Sequence, residues 1–240
     1  MALKNLAFGL LLIASSALGG PSDGRMMAYL DAQIEKQPDN PVHYLRRANG
    51  HAELGEWDEA FDDLTQVEQK GAVMAATLAR GDFYQRLGKG ELAREQFNAV
   101  LNAQPNNIQA LIKRERLLVE LAQPKAALTD YQSLFQIYPA AEVGHYRQAA
   151  NLWVNQGQPK QALALLDKRM QATGSIPQLQ RLAIDIERDR GNYAAAIKRM
   201  RHLNIAADLL TARQHTRADK SLLQRIGQLR EAAIKTASGT

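Results

Sequence analysis

A small pattern returns along the chain at intervals of 33 to 35 residues. Each copy contains a glycine or alanine, an alanine five residues after it, and a large side chain four residues after that alanine. The five central alanines are Ala60, Ala93, Ala127, Ala162 and Ala196. Self-similarity at a fixed period near this length is typical of stacked two-helix units. The repeat therefore predicts an all-α fold without strands.

The spacing within each copy suits two packed antiparallel helices. Glycine reaches positive φ without steric cost, which favours a tight turn between them. The alanine permits close backbone approach, and the large side chain one turn later fills the wider gap. The leading positions are Gly55, Gly88, Ala122, Gly157 and Gly191, and the large residues are Leu64, Phe97, Tyr131, Leu166 and Met200. Pro105 and Pro139 are expected to end second helices.

The stretches "LGEWDEA", "LGKGELAREQFNAVLNAQP" and "PKAALTDYQSLFQIYP" resemble the tetratricopeptide repeat (TPR). The resemblance implies a right-handed α-solenoid of about five helical hairpins over residues 25–210. Its repeats are expected near residues 41–73, 74–107, 108–142, 143–176 and 177–210. The stretch "MMAYLDAQIEKQPDN" is expected to form an N-terminal half-repeat. Residues 211–240 are expected to form a C-terminal capping helix and a frayed tail, because solenoid ends need a polar outer face.

The third repeat departs from the family pattern in its first helix. That helix often has glycine or alanine at its eighth position and an aromatic residue at its eleventh, as in Gly81 and Tyr84 of the second repeat. A glycine within a helix costs about 1 kcal/mol relative to alanine, so close packing is the expected reason for Gly81. The third repeat has Glu115 and Leu118 instead, which predicts a local difference in helix packing.

The resemblance also implies a concave groove lined by the first helix of each hairpin. Its inward-facing positions carry Leu45, Arg46, Leu78 and Ile112 together with the candidate peptide-binding residues Asn49, Asp82, Gln85, Lys113, Arg116, Arg147, Asn151, Arg181 and Arg188. Guanidinium groups bind carboxylates in a bidentate manner, and an asparagine amide can hold an extended backbone. An acidic peptide or a C-terminal carboxylate is therefore the expected ligand. The alternative is that these are ordinary exposed helix residues.

The first 19 residues predict a secretory signal peptide. Lys4 supplies the positive start, an apolar stretch runs from Leu6 to Ala14, and small residues follow in "ASSALG". The stretch is shorter than the roughly 20 residues that span a bilayer, so we expect cleavage without stable membrane insertion. The chain has no cysteine, and hence neither a disulfide nor a lipidated cysteine. A periplasmic or secreted bacterial protein is expected.

Charge is unevenly distributed along the chain. The net charge is +5, of which residues 1–159 carry −3 and residues 160–240 carry +8. A basic segment attracts polyanions, so binding of an acidic polysaccharide or nucleic acid is an alternative function. Export and the lack of interleaved aromatic residues argue against nucleic acid. A solvated arginine-rich helix surface is the simpler interpretation.

No sequence motif predicts an enzyme active site. The Gly-x-Ser-x-Gly match at Gly20–Gly24 follows the expected signal peptide rather than a strand, and the five histidines lack metal-ligand spacing. Trp57, Trp153 and Tyr193 are expected in the core. We therefore expect a non-enzymatic scaffold of the cell envelope, without metal or cofactor, that binds a protein or peptide. An enzyme with no linear signature is a third hypothesis.

Overall fold

The computed structural model describes residues 21–200 and Gln228. Residues 21–200 are helical apart from short turns, and no strand occurs among them. The helices are α1 (Pro21–Lys36), α2 (Pro41–Leu54), α3 (Trp57–Gln69), α4 (Val73–Arg86), α5 (Gly90–Ala103), α6 (Ile108–Glu120), α7 (Pro124–Ile137), α8 (Val143–Asn155), α9 (Pro159–Thr173) and α10 (Pro177–Asp189). Residues 193–200 are also helical. The expected signal peptide and, apart from Gln228, the expected capping helix lie outside the described residues.

The described part of the chain divides into two compact units, with the boundary between Ala103 and Gln104. In the first unit α2 packs against α3 and α4 against α5, with α1 against α2. In the second unit α6 packs against α7 and α8 against α9, and α10 contacts both α8 and α9. The pairs α2–α3, α4–α5, α6–α7 and α8–α9 are antiparallel hairpins whose helices are joined by a turn of two or three residues. The all-α fold of helical hairpins expected from the repeat is confirmed.

The turns between paired helices have the backbone conformation that their small residues predict. Gly55, Gly88, Gly157 and Gly191 have φ between 70° and 81°. Ala122 adopts the same left-handed conformation, with φ of 53°, and no other described residue except glycine has positive φ. An alanine pays a steric cost there that glycine avoids. The turn geometry is therefore imposed by hairpin packing rather than by glycine alone.

The alanines and large residues of the repeat form the core of each unit. The first four alanines of the repeat are fully buried and Ala196 is 2% exposed, and the large residues four positions later are buried as well. Trp57 packs edge-to-face on Phe83 with 6.0 Å between ring centroids, and Trp153 packs against the core of the second unit. The core position expected for Tyr193 is wrong, because this residue stands at the start of its helix and is 42% exposed.

Replacing Gly81 by alanine is expected to destabilise the protein, although alanine is the better helix former. An added Cβ would lie 2.4 Å from Cε1 of Phe97 and within 2.9 Å of two further ring atoms, and Phe97 is fully buried. Overpacking of this kind costs about 1–3 kcal/mol, more than the roughly 1 kcal/mol that alanine gains in a helix. From the difference, we expect Gly81→Ala to lower the free energy of unfolding, measured by urea denaturation, by up to about 2 kcal/mol.

Gly144→Ala is the matched control, because a Cβ added at this position in α8 meets no atom within 4 Å. We expect this variant to be as stable as the parent chain or up to about 1 kcal/mol more stable. A Gly81→Ala protein at least as stable as the parent would show that the Phe97 ring moves aside without cost.

Candidate functional site

The first unit contributes three of the candidate groove residues. Asn49 is exposed on α2, and its Nδ2 donates a hydrogen bond of 2.9 Å to the carbonyl of Leu45 in its own helix. Asp82 and Gln85 are partly buried on α4 and already interact with other groups of the protein. These three side chains are therefore largely engaged within the protein.

The second unit presents a different surface on α6 and α8. Arg116 is exposed on α6, and Arg147 and Asn151 are exposed on α8, where a spacing of four residues places them on one face. Within the described part of the chain, these three side chains form no hydrogen bond or ion pair. We call Arg116, Arg147 and Asn151 the first-helix surface. Lys113, three residues before Arg116, is partly buried and already engaged.

The two candidate arginines of α10 differ from those of α6 and α8. Arg188 donates hydrogen bonds to Asp185 and Asp189, both at 2.9 Å, and the bond to Asp189 contributes most to raising the pKa of its guanidinium. Its charge is thus compensated within its own helix. Arg181 is partly buried, and its Nε has no hydrogen-bond partner among the described residues.

A buried polar cluster links α6, α7 and α8 next to Arg116. Glu115 is 1% exposed, and its Oε1 lies 2.6 Å from Nδ1 of His145 on α8. The Tyr131 hydroxyl of α7 donates a hydrogen bond of 2.9 Å to Oε1 of Gln148, and the Tyr131 ring centroid lies 6.3 Å from that of His145. Glu115 Oε2 has no partner among the described residues. This cluster is the local difference in packing that Glu115 predicts.

Burial sets the protonation of this cluster. It raises the pKa of Glu115 to about 8, and the nearby Tyr131 hydroxyl and Arg116 guanidinium oppose the shift only in part. Burial also lowers the pKa of His145, and it raises the pKa of the Tyr131 hydroxyl above its ordinary value. The stable pair near neutral pH is therefore a protonated carboxyl that donates to a neutral imidazole.

Two hairpins are also braced by a buried ion pair of the same geometry. Arg47 on α2 donates from Nε and Nη2 to the two oxygens of Asp63 on α3, at 2.9 and 2.7 Å. Arg114 on α6 does the same to Asp130 on α7, at 2.8 and 2.6 Å. Both aspartates are less than 5% exposed. Each arginine stands sixteen residues before its aspartate, a recurrence that could have been found in the sequence.

The described residues contain neither a helix that could cross a membrane nor a cluster that could hold a metal ion. None of their helices is both long enough and apolar enough to cross a bilayer. They also contain no group of three or more histidine, aspartate or glutamate side chains placed to hold a metal ion.

Sequence comparison relates part of the chain to larger proteins. No model of a known protein family matches it. It is 26% identical over 178 residues to DnaJ homolog subfamily C member 3 of Bos taurus, and this alignment covers 67% of the chain and 34% of the relative. The chain thus spans about a third of the length of the curated relatives that it matches.

Solved structures resemble the chain over more of its length. YrrB, a TPR protein with an unusual peptide-binding site, has a TM-score of 0.54 and 18% identity, covering 72% of this chain and 89% of YrrB. A tetratricopeptide repeat protein from Parabacteroides merdae has a TM-score of 0.50 and 18% identity, covering 91% of this chain and 88% of that protein. The recurring alanines, the left-handed turns, the paired helices and these structures together show that the chain has the tetratricopeptide-repeat fold.

Proposed function

We propose that this protein is an exported interaction module that binds an extended segment of a protein partner on the first-helix surface. The observation that carries the proposal is the exposure of Arg116, Arg147 and Asn151 without a hydrogen bond or ion pair to any described residue. Charged side chains that are not needed to brace the fold remain available for a partner. The peptide-binding site of YrrB, a protein of the same fold, supports this type of function.

The residue types of the surface favour an acidic segment or a C-terminal carboxylate. Each guanidinium can donate two parallel hydrogen bonds to a carboxylate, which a lysine ammonium cannot do. The Asn151 amide carries both a donor and an acceptor, so it can hold the backbone of an extended peptide. The buried Glu115–His145 contact joins the two helices beneath and fixes their separation, which preorganises the arginines.

The expected signal peptide and the absence of cysteine support a place for this module in the periplasm or outside the cell. A chain without thiols folds identically in oxidising and reducing compartments. We propose that it serves as a scaffold in a process of the bacterial cell envelope. The intact mass of the protein in the periplasmic fraction released by osmotic shock tests this proposal. Cleavage near residue 19 should lower the mass by that of the signal peptide, and a protein that retains the peptide would contradict export.

Polyanion binding through the basic residues 160–240 has less support among the described residues. Arg188, Arg190 and Arg199 all pair with carboxylates, and Arg199 donates to both oxygens of Asp167 at 2.6 and 2.8 Å. Arginines whose charge is balanced by a neighbouring carboxylate attract polyanions weakly. An affinity for heparin or DNA that falls steeply between low and moderate salt would restore this alternative.

Charge reversal at the first-helix surface is expected to weaken partner binding strongly. A photo-crosslinking amino acid at position 151 identifies the protein that contacts the surface in cells. Affinity for the corresponding synthetic segment is then measured by titration calorimetry. We expect the double variant Arg116→Glu, Arg147→Glu to bind at least about tenfold more weakly, because two attractions become repulsions and about 1.4 kcal/mol corresponds to a factor of ten.

The matched control is the double variant Lys125→Glu, Lys160→Glu. It makes the same change of net charge at exposed residues of α7 and α9, the second helices of their hairpins. We expect it to bind within about twofold of the parent. Equal losses in both double variants would indicate nonspecific attraction between charges, and no loss in either would contradict the proposed site.

A further inference from the structure

A cavity of about 460 Å³ lies among α7, α8 and α9 in the second unit. Phe135, Pro139, Leu165 and Ala172 supply much of its apolar wall. Its walls come mainly from α7 and α9, which are second helices, so the cavity differs from the first-helix surface. We call it the second-helix pocket. Cavities of this size are typical of small-molecule sites, which are mostly apolar with a few placed polar groups.

Arg169 is a buried charged residue of the second-helix pocket. It lines the cavity, yet it is only 9% exposed, and its Nε and Nη1 are buried without a hydrogen-bond partner among the described residues. The guanidinium lies 5.3 Å from the ring centroid of Tyr146, which is a cation–π contact. That contact supplies no acceptor for the N–H groups and no opposite charge.

The aromatic side of the pocket is held firmly in place. The Tyr146 hydroxyl donates a hydrogen bond of 2.9 Å to the carbonyl of Pro139, in the turn that follows α7. The Tyr146 ring stacks on Phe135 with 3.8 Å between centroids and 12° between planes. Arg169 therefore rests on a fixed aromatic pair, which limits its freedom to turn towards water.

The chemistry of the pocket defines its ligand. A buried guanidinium is costly without an anion. The other cation of the lining, Lys168, is exposed and stays hydrated, so the buried charge to be balanced is that of Arg169, which suits a carboxylate better than a doubly charged phosphate. The apolar walls favour a hydrocarbon or aromatic body attached to that carboxylate. A fully polar anion would leave those walls without an apolar partner.

We propose that the second-helix pocket binds a small organic acid, with its carboxylate against Arg169 and its apolar body against Phe135 and Leu165. This site is separate from the first-helix surface and does not depend on the proposed protein-binding function. A small molecule bound there bridges both helices of one hairpin and the second helix of the preceding one. Binding therefore stabilises the second unit.

Titration calorimetry on the full chain tests the proposal with octanoate and octanamide. The two probes share an apolar chain and differ in charge. We expect octanoate to bind at least tenfold more tightly than octanamide. Arg169→Met keeps the length and apolar stem of the side chain without its charge, and we expect it to weaken octanoate binding at least tenfold while leaving octanamide unchanged. Lys160→Met, which removes an exposed charge of α9 outside the pocket, should bind octanoate as the parent does.

Equal affinity for octanoate and octanamide, or no binding of either, would overturn the proposal. That comparison uses the unaltered chain, so it decides the question even if Arg169→Met does not fold. Octanoate binding that persists unchanged in a folded Arg169→Met protein would also overturn it. An acetylated tripeptide that ends in a free leucine carboxylate is the third probe. If it binds tenfold more tightly than octanoate, the ligand is a chain terminus and the small-molecule proposal is wrong.

Discussion

Asp130→Ala is expected to lower the free energy of unfolding by about 3–5 kcal/mol, the largest effect of any single substitution considered for this protein. Asp130 is 2% exposed and accepts two hydrogen bonds from Arg114 across the α6–α7 hairpin. Its removal takes away the buried carboxylate that accepts both hydrogen bonds, and breaking such a pair from one side costs more than the net value of the pair. Urea unfolding followed by circular dichroism measures the change.

Asp189→Ala is the matched control for this prediction. Asp189 also pairs with an arginine, Arg188, but its side chain is 68% exposed, so water replaces the lost contact. Exposed pairs are worth about 0–1 kcal/mol. The double variant Asp130→Leu, Arg114→Met removes both charges and is expected to recover most of the stability. A loss below about 1 kcal/mol for Asp130→Ala would mean that Arg114 finds water or another acceptor.

The first unit contains an ion pair of the same geometry. Arg47 bonds to Asp63 and also to Asp31 on α1, at 2.7 Å from Nη1, and the bonds to Asp63 contribute most to raising the pKa of Arg47. Arg47 therefore keeps one carboxylate when the other is removed. The same bidentate geometry in α2–α3 and α6–α7 indicates that the pair fixes the rotation of one helix against its partner.

The fold was predictable because its signal is repeated and local. Helical periodicity alone is enough to recognise an alanine followed one turn later by a large residue. One copy of this pattern is a weak signal, but five copies in register are a strong one. Ala122 shows why the pattern tolerates exceptions: the hairpin imposes the left-handed turn even where no glycine stands. The positions of α2–α10 follow from the same period.

The roles of the charged residues were less predictable, since they depend on contacts between helices. The inward-facing positions of the third repeat include Arg116 but not Arg114, and this register does not predict that Arg114 braces its hairpin while Arg116 is exposed. The assignment of Arg188 to the groove overlooked Asp185 and Asp189, which are close enough in sequence to compensate it. Whether a side chain serves the fold or a partner is decided by the rotation of its helix, which periodicity alone does not fix.

The stability of the protein is expected to fall by about 2 kcal/mol as the pH rises from 6.5 to 8, because of Glu115. Burial raises the pKa of this carboxyl from 4.5 to about 8, so its contribution is complete below 4.5 and is lost as the pH rises through 8. Burial lowers the pKa of His145 from 6.5, so the imidazole contributes above 6.5 and its contribution is lost as the pH falls. Between 4.5 and 6.5 the two changes oppose each other. Above 6.5 the loss from Glu115 acts alone.

Glu115→Gln separates this effect from all other titrations. The amide keeps a hydrogen-bond donor for Nδ1 of His145 but does not ionise, so the free energy of unfolding of this variant should stay level from pH 6.5 to 9. Glu95→Gln, at an exposed position of α5, should retain the slope of the parent. Every other titrating group is common to the three proteins, so its effect cancels when their free energies of unfolding are subtracted. Tyr131 stays protonated because burial raises its pKa. If the parent and Glu115→Gln lost stability equally, the carboxyl would already be ionised in the folded protein, and the pair would be a salt bridge to a charged His145.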